Sequence, residues 1–145
     1  HASGGSAMIK AAVEASSKTH VTGVTILTSL AEDDVTQIGF KANALDSAVG
    51  LAKLAVGAGA GAIVCSPLDI ASIRAAVGTT PIIITPGVRP ADSSSTDDQV
   101  RTMTPKAAID IGANFVVIGR PITQQWALGA MAMRDRAAEI ATELI

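Results

Sequence analysis

Two arginines directly follow the glycine-bearing ends of apolar runs. Arg89 comes after the sequence PGV, and Arg120 comes after Gly119. A guanidinium group donates two parallel hydrogen bonds and therefore suits the oxygens of a phosphate. A glycine lets a ligand approach the backbone closely and leaves its N–H group accessible. The pattern favours an anion site, although the spacing is equally compatible with surface ion pairs between these arginines and nearby acids: Asp92, Asp97 and Asp110.

Hydroxyl side chains end two of the other apolar runs. Thr28 and Ser29 could contact the polar edge of a ligand ring, but capping of the following segment is the commoner use of such hydroxyls. Ser66, which precedes Pro67, and Thr104, which precedes Pro105, are each expected to cap a helix. The two histidines, His1 and His20, belong to no cluster with metal-ligand spacing, and the sequence has no glycine-rich phosphate loop with a lysine. We therefore expect neither a metal nor a cofactor.

The elements that must position these side chains alternate along the chain. Four β-branched, apolar runs predict buried parallel strands: Val21–Ser29, Gly61–Ser66, Pro81–Gly87 and Phe115–Pro121. Between them lie segments with helical patterns: Ser6–Ser16, a short helix in AEDDVTQIG, Asp46–Val56, Pro67–Val77, Pro105–Ile111 and a long one over Thr123–Leu144. Such alternation predicts an α/β fold with right-handed crossovers.

Two architectures fit this alternation. One is a small doubly wound sheet, and the other is part of a (β/α)8 TIM barrel. Both place function at the carboxyl ends of the strands, where this chain changes from branched apolar residues to LTS, CSP, PGVR and IGRP. The HASGG start reads like a strand end entering a helix, which favours the barrel portion.

Composition excludes several functional classes. The 145 residues predict one domain, and 48% of them are apolar, which is enough for a core. A net charge of −2 and the absence of tyrosine argue against nucleic-acid and membrane-surface partners. The single cysteine, Cys65, lies in an apolar run, so we expect a buried thiol in a reducing, cytoplasmic setting. No unbroken apolar stretch is long enough to span a membrane.

The motifs taken together resemble the orotidine 5′-phosphate decarboxylase family. The segments that carry the resemblance run in one order along the chain: HASGG, VTILTS, VCSP, PGVRP followed by DQVRTMTP, and VIGRPI. The resemblance implies a TIM barrel of which residues 1–145 form the C-terminal portion, strands 5–8 with their helices. It also implies a cofactor-independent carboxy-lyase that converts orotidine 5′-phosphate to UMP and carbon dioxide in pyrimidine biosynthesis. Such enzymes are usually cytoplasmic homodimers with active sites near the subunit interface.

The resemblance assigns roles to residues that match its motifs. Arg89 and Gln99 would hold the substrate phosphate, helped by Gly119 and Arg120, and Thr28 would contact the pyrimidine. The polar segment between Arg89 and Gln99 would be a lid that closes over the phosphate.

The family's reacting groups, a D-x-K-x-x-D array and an Asp and a Lys from the first two strands, have no counterpart in this chain. We therefore expect the catalytic residues to lie upstream and the isolated segment to be inactive. Two alternatives are a non-catalytic phosphate-binding half-barrel and a related barrel that processes a sugar phosphate.

Overall fold

The computed structural model describes residues 1–90 and 103–144. Its sheet has four strands in the order in which they occur along the chain: β1 (Thr22–Val24), β2 (Ala62–Val64), β3 (Ile82–Thr85) and β4 (Phe115–Val116). All three strand pairings are parallel. This confirms the predicted α/β fold with a parallel sheet, and each strand lies within one of the four predicted apolar runs.

Seven α-helices and three 3-10 helices accompany the strands in the described residues. The α-helices are α1 (Gly5–Ala15), α2 (Glu32–Gln37), α3 (Ala44–Gly57), α4 (Ile70–Val77), α5 (Pro105–Asp110), α6 (Arg120–Thr123) and α7 (Ala130–Thr142). The 3-10 helices are Ala2–Gly4, Pro67–Asp69 and Gln124–Leu128.

The predicted helix starts at Ser66 and Thr104 are confirmed. The hydroxyl of Ser66 accepts a hydrogen bond from the N–H group of Leu68 at 3.3 Å, and that of Thr104 accepts one from Ala107 at 3.3 Å. Each capping residue precedes a proline, which needs no hydrogen-bond partner for its nitrogen at the first helical position.

The prediction of one long helix over Thr123–Leu144 is wrong. The chain forms α6, then the 3-10 helix Gln124–Leu128, and begins α7 only at Ala130. Gly129 separates the last two with a φ of 102°, a left-handed conformation that glycine adopts without steric cost. The apolar periodicity continues across this break, which is why the pattern alone suggested a single helix.

Among the described residues, helices cover one face of the sheet, and the other face is open. Gly23, Ile63 and Ile83 are buried beneath the helices, and a Cβ atom at Gly23 would lie 2.7 Å from the Cβ of Ala55 in α3. The opposite face carries a register row whose members are half-buried or exposed: Val24, Val64, Ile84 and Phe115. A parallel sheet is ordinarily covered on both faces, and in the described residues this face is the less buried of the two.

The guanidinium group of Arg74 joins the amino ends of β3 and β4. It donates to the carbonyl oxygen of Gly112 at 2.9 Å, to that of Pro81 at 2.7 Å and to Oδ1 of Asn114 at 2.6 Å. The same Asn114 oxygen accepts a hydrogen bond from the N–H group of Ile83 at 2.8 Å. One side chain on α4 thereby satisfies polar groups at the start of both strands.

None of the helices within residues 1–90 and 103–144 combines the length and apolar character that crossing a membrane requires.

Replacing Arg74 by Ala is expected to lower the free energy of unfolding by about 2–4 kcal/mol, because charged hydrogen bonds are lost and backbone carbonyls are left unpaired. Arg134→Ala is the matched control. Arg134 pairs with Asp135 on the exposed surface of α7, so its removal should cost less than about 1 kcal/mol. Urea denaturation monitored by circular dichroism measures both values. Equal losses for the two variants would contradict the role assigned to Arg74.

Candidate functional site

The carboxyl ends of β3 and β4 lie side by side. β3 ends at Thr85 and β4 at Val116, and these two residues are register partners. Neighbouring strands are about 4.8 Å apart. Arg89 and Arg120 each follow one of these strands by four residues. The structure therefore brings both residues to the carboxyl ends of two neighbouring strands. Their role in binding phosphate stays a prediction.

The backbone around Arg89 is held by a second strand-like contact. Val88, which is buried, forms a parallel bridge with Met103. The N–H group of Arg89 donates to the carbonyl oxygen of Met103 at 2.9 Å, and that of Met103 donates to Gly87 at 3.4 Å. Gly87 itself has a φ of 77°, which explains the glycine at this turn. Val88 and Met103, which lie on the two sides of the polar segment, are therefore held next to each other.

Residues 91–102, including Gln99 and the expected lid, lie outside the described part of the chain. The alternative ion-pair partners Asp92 and Asp97 lie there as well. The third, Asp110, forms an ion pair with Lys106 one helical turn away on α5, with 3.0 Å between Oδ1 and Nζ.

Gly119 and Arg120 form the start of α6. The carbonyl oxygen of Gly119 accepts hydrogen bonds from the N–H groups of Ile122 and Thr123 at 2.9 and 3.0 Å. A Cβ atom added at Gly119 would meet nothing within 4 Å among the described residues. The backbone at Gly119 thus borders open space at the sheet edge, as a backbone that contacts a ligand must.

Thr28 also lies at the carboxyl ends of the strands, but it follows the outermost strand on the opposite side of the sheet from β4. It follows β1, which is separated from β4 by two strands, or roughly 14 Å measured along the sheet. The residue is buried, and Ala31 rather than Thr28 occupies the capping position of α2, so the capping interpretation of Thr28 is wrong. A ligand that reached both Thr28 and Arg120 would have to extend across the strands.

Two buried polar side chains that were not predicted from the sequence lie at or just after the carboxyl ends of the strands. The hydroxyl of Thr85 donates to the carbonyl oxygen of Cys65 at 2.8 Å and joins the ends of β2 and β3. Cys65 is buried, as predicted. Asp69, at the end of the 3-10 helix that follows β2, is also buried. A threonine in an apolar run gives no sequence signal of this kind, because it is also a common strand residue.

A cavity in the described part of the chain lies elsewhere. It measures about 320 Å³ and is lined mainly by apolar groups that include Ala2, Ile38, Phe40 and Leu54. Arg89, Arg120 and Thr28 do not line it, so we do not assign it to the candidate site. In the described ranges, no group of three or more His, Cys, Asp or Glu side chains is arranged to hold a metal ion.

Comparison with known proteins identifies the family. A family model described as "Orotidine 5'-phosphate decarboxylase / HUMPS family" matches residues 1–131. The chain belongs to this family. The predicted resemblance to the orotidine 5′-phosphate decarboxylase family is therefore confirmed.

Relatives in the orotidine 5′-phosphate decarboxylase family are longer than this chain. The orotidine 5'-phosphate decarboxylase of Thermobifida fusca is 49% identical over 144 residues, which are 99% of this chain and 59% of that protein. The enzyme of the same name from Anaeromyxobacter sp. is 48% identical over 84% of this chain and 54% of its own length. The chain thus spans little more than half the length of these curated relatives.

The fold of a solved family member agrees with the structure. The crystal structure of orotidine 5'-phosphate decarboxylase from Lactobacillus acidophilus superposes with a TM-score of 0.74 at 30% identity. The superposition covers 97% of this chain and 61% of that one. The α/β architecture with its parallel sheet is therefore shared with the decarboxylase family.

Replacing Thr85 by Val is expected to lower the free energy of unfolding by about 1–2 kcal/mol, because the change removes a buried hydrogen bond at nearly constant volume. Thr22→Val is the matched control: Thr22 is an exposed strand residue, and its replacement should change stability by less than about 0.5 kcal/mol. Chemical denaturation of both variants measures the difference. A Thr85 variant as stable as the control would show that this hydroxyl does not hold the strand ends.

Proposed function

We propose that this chain is the C-terminal portion, strands 5–8, of a (β/α)8-barrel orotidine 5′-phosphate decarboxylase. The whole enzyme would convert orotidine 5′-phosphate to UMP and carbon dioxide. The observation that carries the proposal is the position of Arg89 and of Gly119–Arg120 at the ends of adjacent strands, in a chain that is 49% identical to a curated enzyme of that name. A cytoplasmic location and a homodimeric assembly belong to the same proposal.

In this proposal the described strand ends bind the two ends of the nucleotide. Arg89 and Arg120 donate hydrogen bonds to the phosphate, and the Gly119 backbone allows the oxygens to approach. Thr28, on the opposite side of the sheet edge, contacts the pyrimidine. Gln99 adds a further phosphate contact by analogy with the family motif. The separation of Thr28 from the arginines supports an extended ligand such as a nucleoside monophosphate.

The phosphate contacts would assist a reaction that takes place some distance away. Loss of carbon dioxide leaves an electron pair on the ring carbon, and a proton must be delivered to that carbon. Binding energy from a non-reacting phosphate can be used to orient the ring and to remove water from it. Tight binding of the phosphate therefore raises the rate only if the ring is held rigidly at the same strand ends.

The groups that carry out the bond cleavage would come from upstream strands. A lysine ammonium suits the proton delivery, and nearby carboxylates set the electric field at the ring. The sequence of this chain lacks the family's D-x-K-x-x-D motif. We therefore assign to this chain binding and orientation of the substrate, and no catalytic residue.

A second candidate is a phosphate-binding half-barrel without catalysis. The described chain has its own core, which includes the fully buried Ile63, Ile70, Ile73 and Ile83. A core of this kind allows the segment to fold and to retain the strand-end arginines by itself. This function predicts UMP binding without turnover, even when upstream strands are supplied.

The Arg89→Ala variant is expected to bind UMP about 10–100-fold more weakly, because charged hydrogen bonds to the phosphate contribute roughly 1.5–3 kcal/mol. Isothermal titration calorimetry with UMP and with uridine separates the phosphate contribution from that of the base. Arg134→Ala on α7 is the control and should leave the affinity unchanged. If Arg89→Ala and Arg134→Ala bound UMP equally well, the phosphate assignment would be refuted.

The 145-residue chain alone is expected to show no decarboxylation of orotidine 5′-phosphate, because the proton donor is missing. Coexpression with the upstream portion of the Thermobifida fusca relative should restore measurable turnover, and Arg89→Ala in the restored enzyme should reduce kcat/KM. Loss of ultraviolet absorbance of the substrate follows the reaction. Turnover by the isolated chain at a rate near that of the relative would contradict the division of roles proposed here.

A further inference from the structure

Thr28 lies in the short connection between β1 and α2, and 6% of its surface is exposed. Within residues 1–90 and 103–144, no group forms a hydrogen bond with its hydroxyl. Inside the connection, the N–H group of Leu30 donates to the carbonyl oxygen of Leu27 at 3.2 Å. The place of the Thr28 hydroxyl therefore depends on how the backbone of this connection is held at its two ends.

The start of the connection is fixed to the sheet. Both the N–H group and the hydroxyl of Thr25 donate to the carbonyl oxygen of Val64 on β2, each at 3.0 Å. Thr25 is buried, so water does not readily replace these bonds. They determine the point at which the chain leaves β1 and enters the connection.

The other end of the connection is joined to α3 by the side chain of Glu32. Glu32 is the first residue of α2, and its Oε2 atom accepts a hydrogen bond at 2.8 Å from the N–H group of Ala44, the first residue of α3. The first N–H groups of a helix have no partner within it, and the helix dipole favours a carboxylate beside them. Glu32 therefore binds the start of one helix to the start of the next.

The helix α3 is a firmer attachment point than α2. Three of the alanines of α3 are fully buried in the core: Ala48, Ala52 and Ala55. Of the six residues of α2, Val35 is the buried one, and a helix of that length is marginal without outside contacts. The position of α2 therefore depends strongly on the bond from Glu32 to Ala44.

We propose that Glu32 is a positioning residue, which fixes the Thr28 hydroxyl at the carboxyl ends of the strands by joining α2 to α3. Its carboxylate acts through the backbone between Thr28 and Glu32. This inference rests on the proposed function, which assigns the pyrimidine contact to Thr28. Loss of the Glu32 contact should weaken binding of the ring and spare the phosphate contacts of Arg89 and Arg120, which follow β3 and β4.

Three changes at Glu32 separate the reach of its side chain from its charge. Glu32→Ala removes the acceptor, and Glu32→Asp keeps the charge but is a methylene group too short to reach Ala44. Glu32→Gln keeps the length and an acceptor oxygen. Asn43→Ala is the matched control, because Oδ1 of Asn43 accepts from the N–H group of Asp46 at 2.7 Å and caps the same helix. It removes a cap of α3 and leaves the bond to Glu32 in place.

Amide hydrogen exchange of the 145-residue chain measures the positioning without a ligand. The N–H groups of Leu30 and Val35 should exchange about tenfold faster in Glu32→Ala and Glu32→Asp, because the connection and α2 open more readily. In Glu32→Gln and Asn43→Ala their exchange should stay within about threefold of the unchanged chain. Unchanged exchange in Glu32→Ala, or an equal acceleration in Asn43→Ala, would overturn the inference.

Calorimetric titration with UMP and with ribose 5-phosphate tests the consequence for the site. Ribose 5-phosphate carries the phosphate and the sugar but no base. Glu32→Ala should bind UMP about 5–10-fold more weakly, because only a fraction of the molecules then hold Thr28 in place, and should bind ribose 5-phosphate within about twofold of the unchanged chain. Glu32→Gln should keep UMP affinity within about threefold.

The outcomes separate this inference from the proposed function. Equal weakening of both ligands by Glu32→Ala, or an equal loss of UMP affinity in Asn43→Ala, would overturn the role of Glu32, since either result indicates a general loss of stability. An unchanged chain that bound neither ligand would refute the proposed function instead, and the exchange of Leu30 and Val35 would then decide the role of Glu32. Circular dichroism first verifies that each variant is folded, and Glu32→Asp replaces Glu32→Ala if the latter is not.

Discussion

The pairing of β3 with β4 is the contact on which the candidate site depends. Arg89 and Arg120 reach one place only because these two strands are neighbours and end in register. The ladder between them is short, with two register pairs, so it needs support beyond its own hydrogen bonds. Arg74 supplies that support at the amino ends through Gly112, Pro81 and Asn114. A surface ion pair in its place would contribute little, since exposed pairs are weak.

The proposed function separates binding from chemistry. Groups that suit a phosphate and a ring edge lie at the carboxyl ends of the described strands, where parallel α/β folds place their ligands. The groups expected to deliver a proton have no counterpart in this sequence, and the chain spans 59% of its relative from Thermobifida fusca.

The sequence was sufficient for the strands, for two of the helix starts and for the order of the elements. Apolar runs with β-branched residues located the strands, and Ser66 and Thr104 marked helix starts because capping hydroxyls act within three residues. It was insufficient where distant groups meet and where a single backbone angle ends a helix. The contact of Arg74 with Gly112 joins residues 38 positions apart, and the helix break at Gly129 depends on a backbone angle that periodicity does not report. The proposed role of Gln99 rests on the family motif alone, because that residue lies outside the described part.

The central claim is that a phosphate binds where the ends of β3 and β4 meet. A crystal structure of the chain with bound UMP tests this most directly. The account predicts phosphate density within hydrogen-bonding distance of the Arg89 and Arg120 guanidinium groups and beside the Gly119 backbone, with the pyrimidine directed toward Thr28. A phosphate bound elsewhere, for instance at the cavity lined by Phe40 and Leu54, would contradict it.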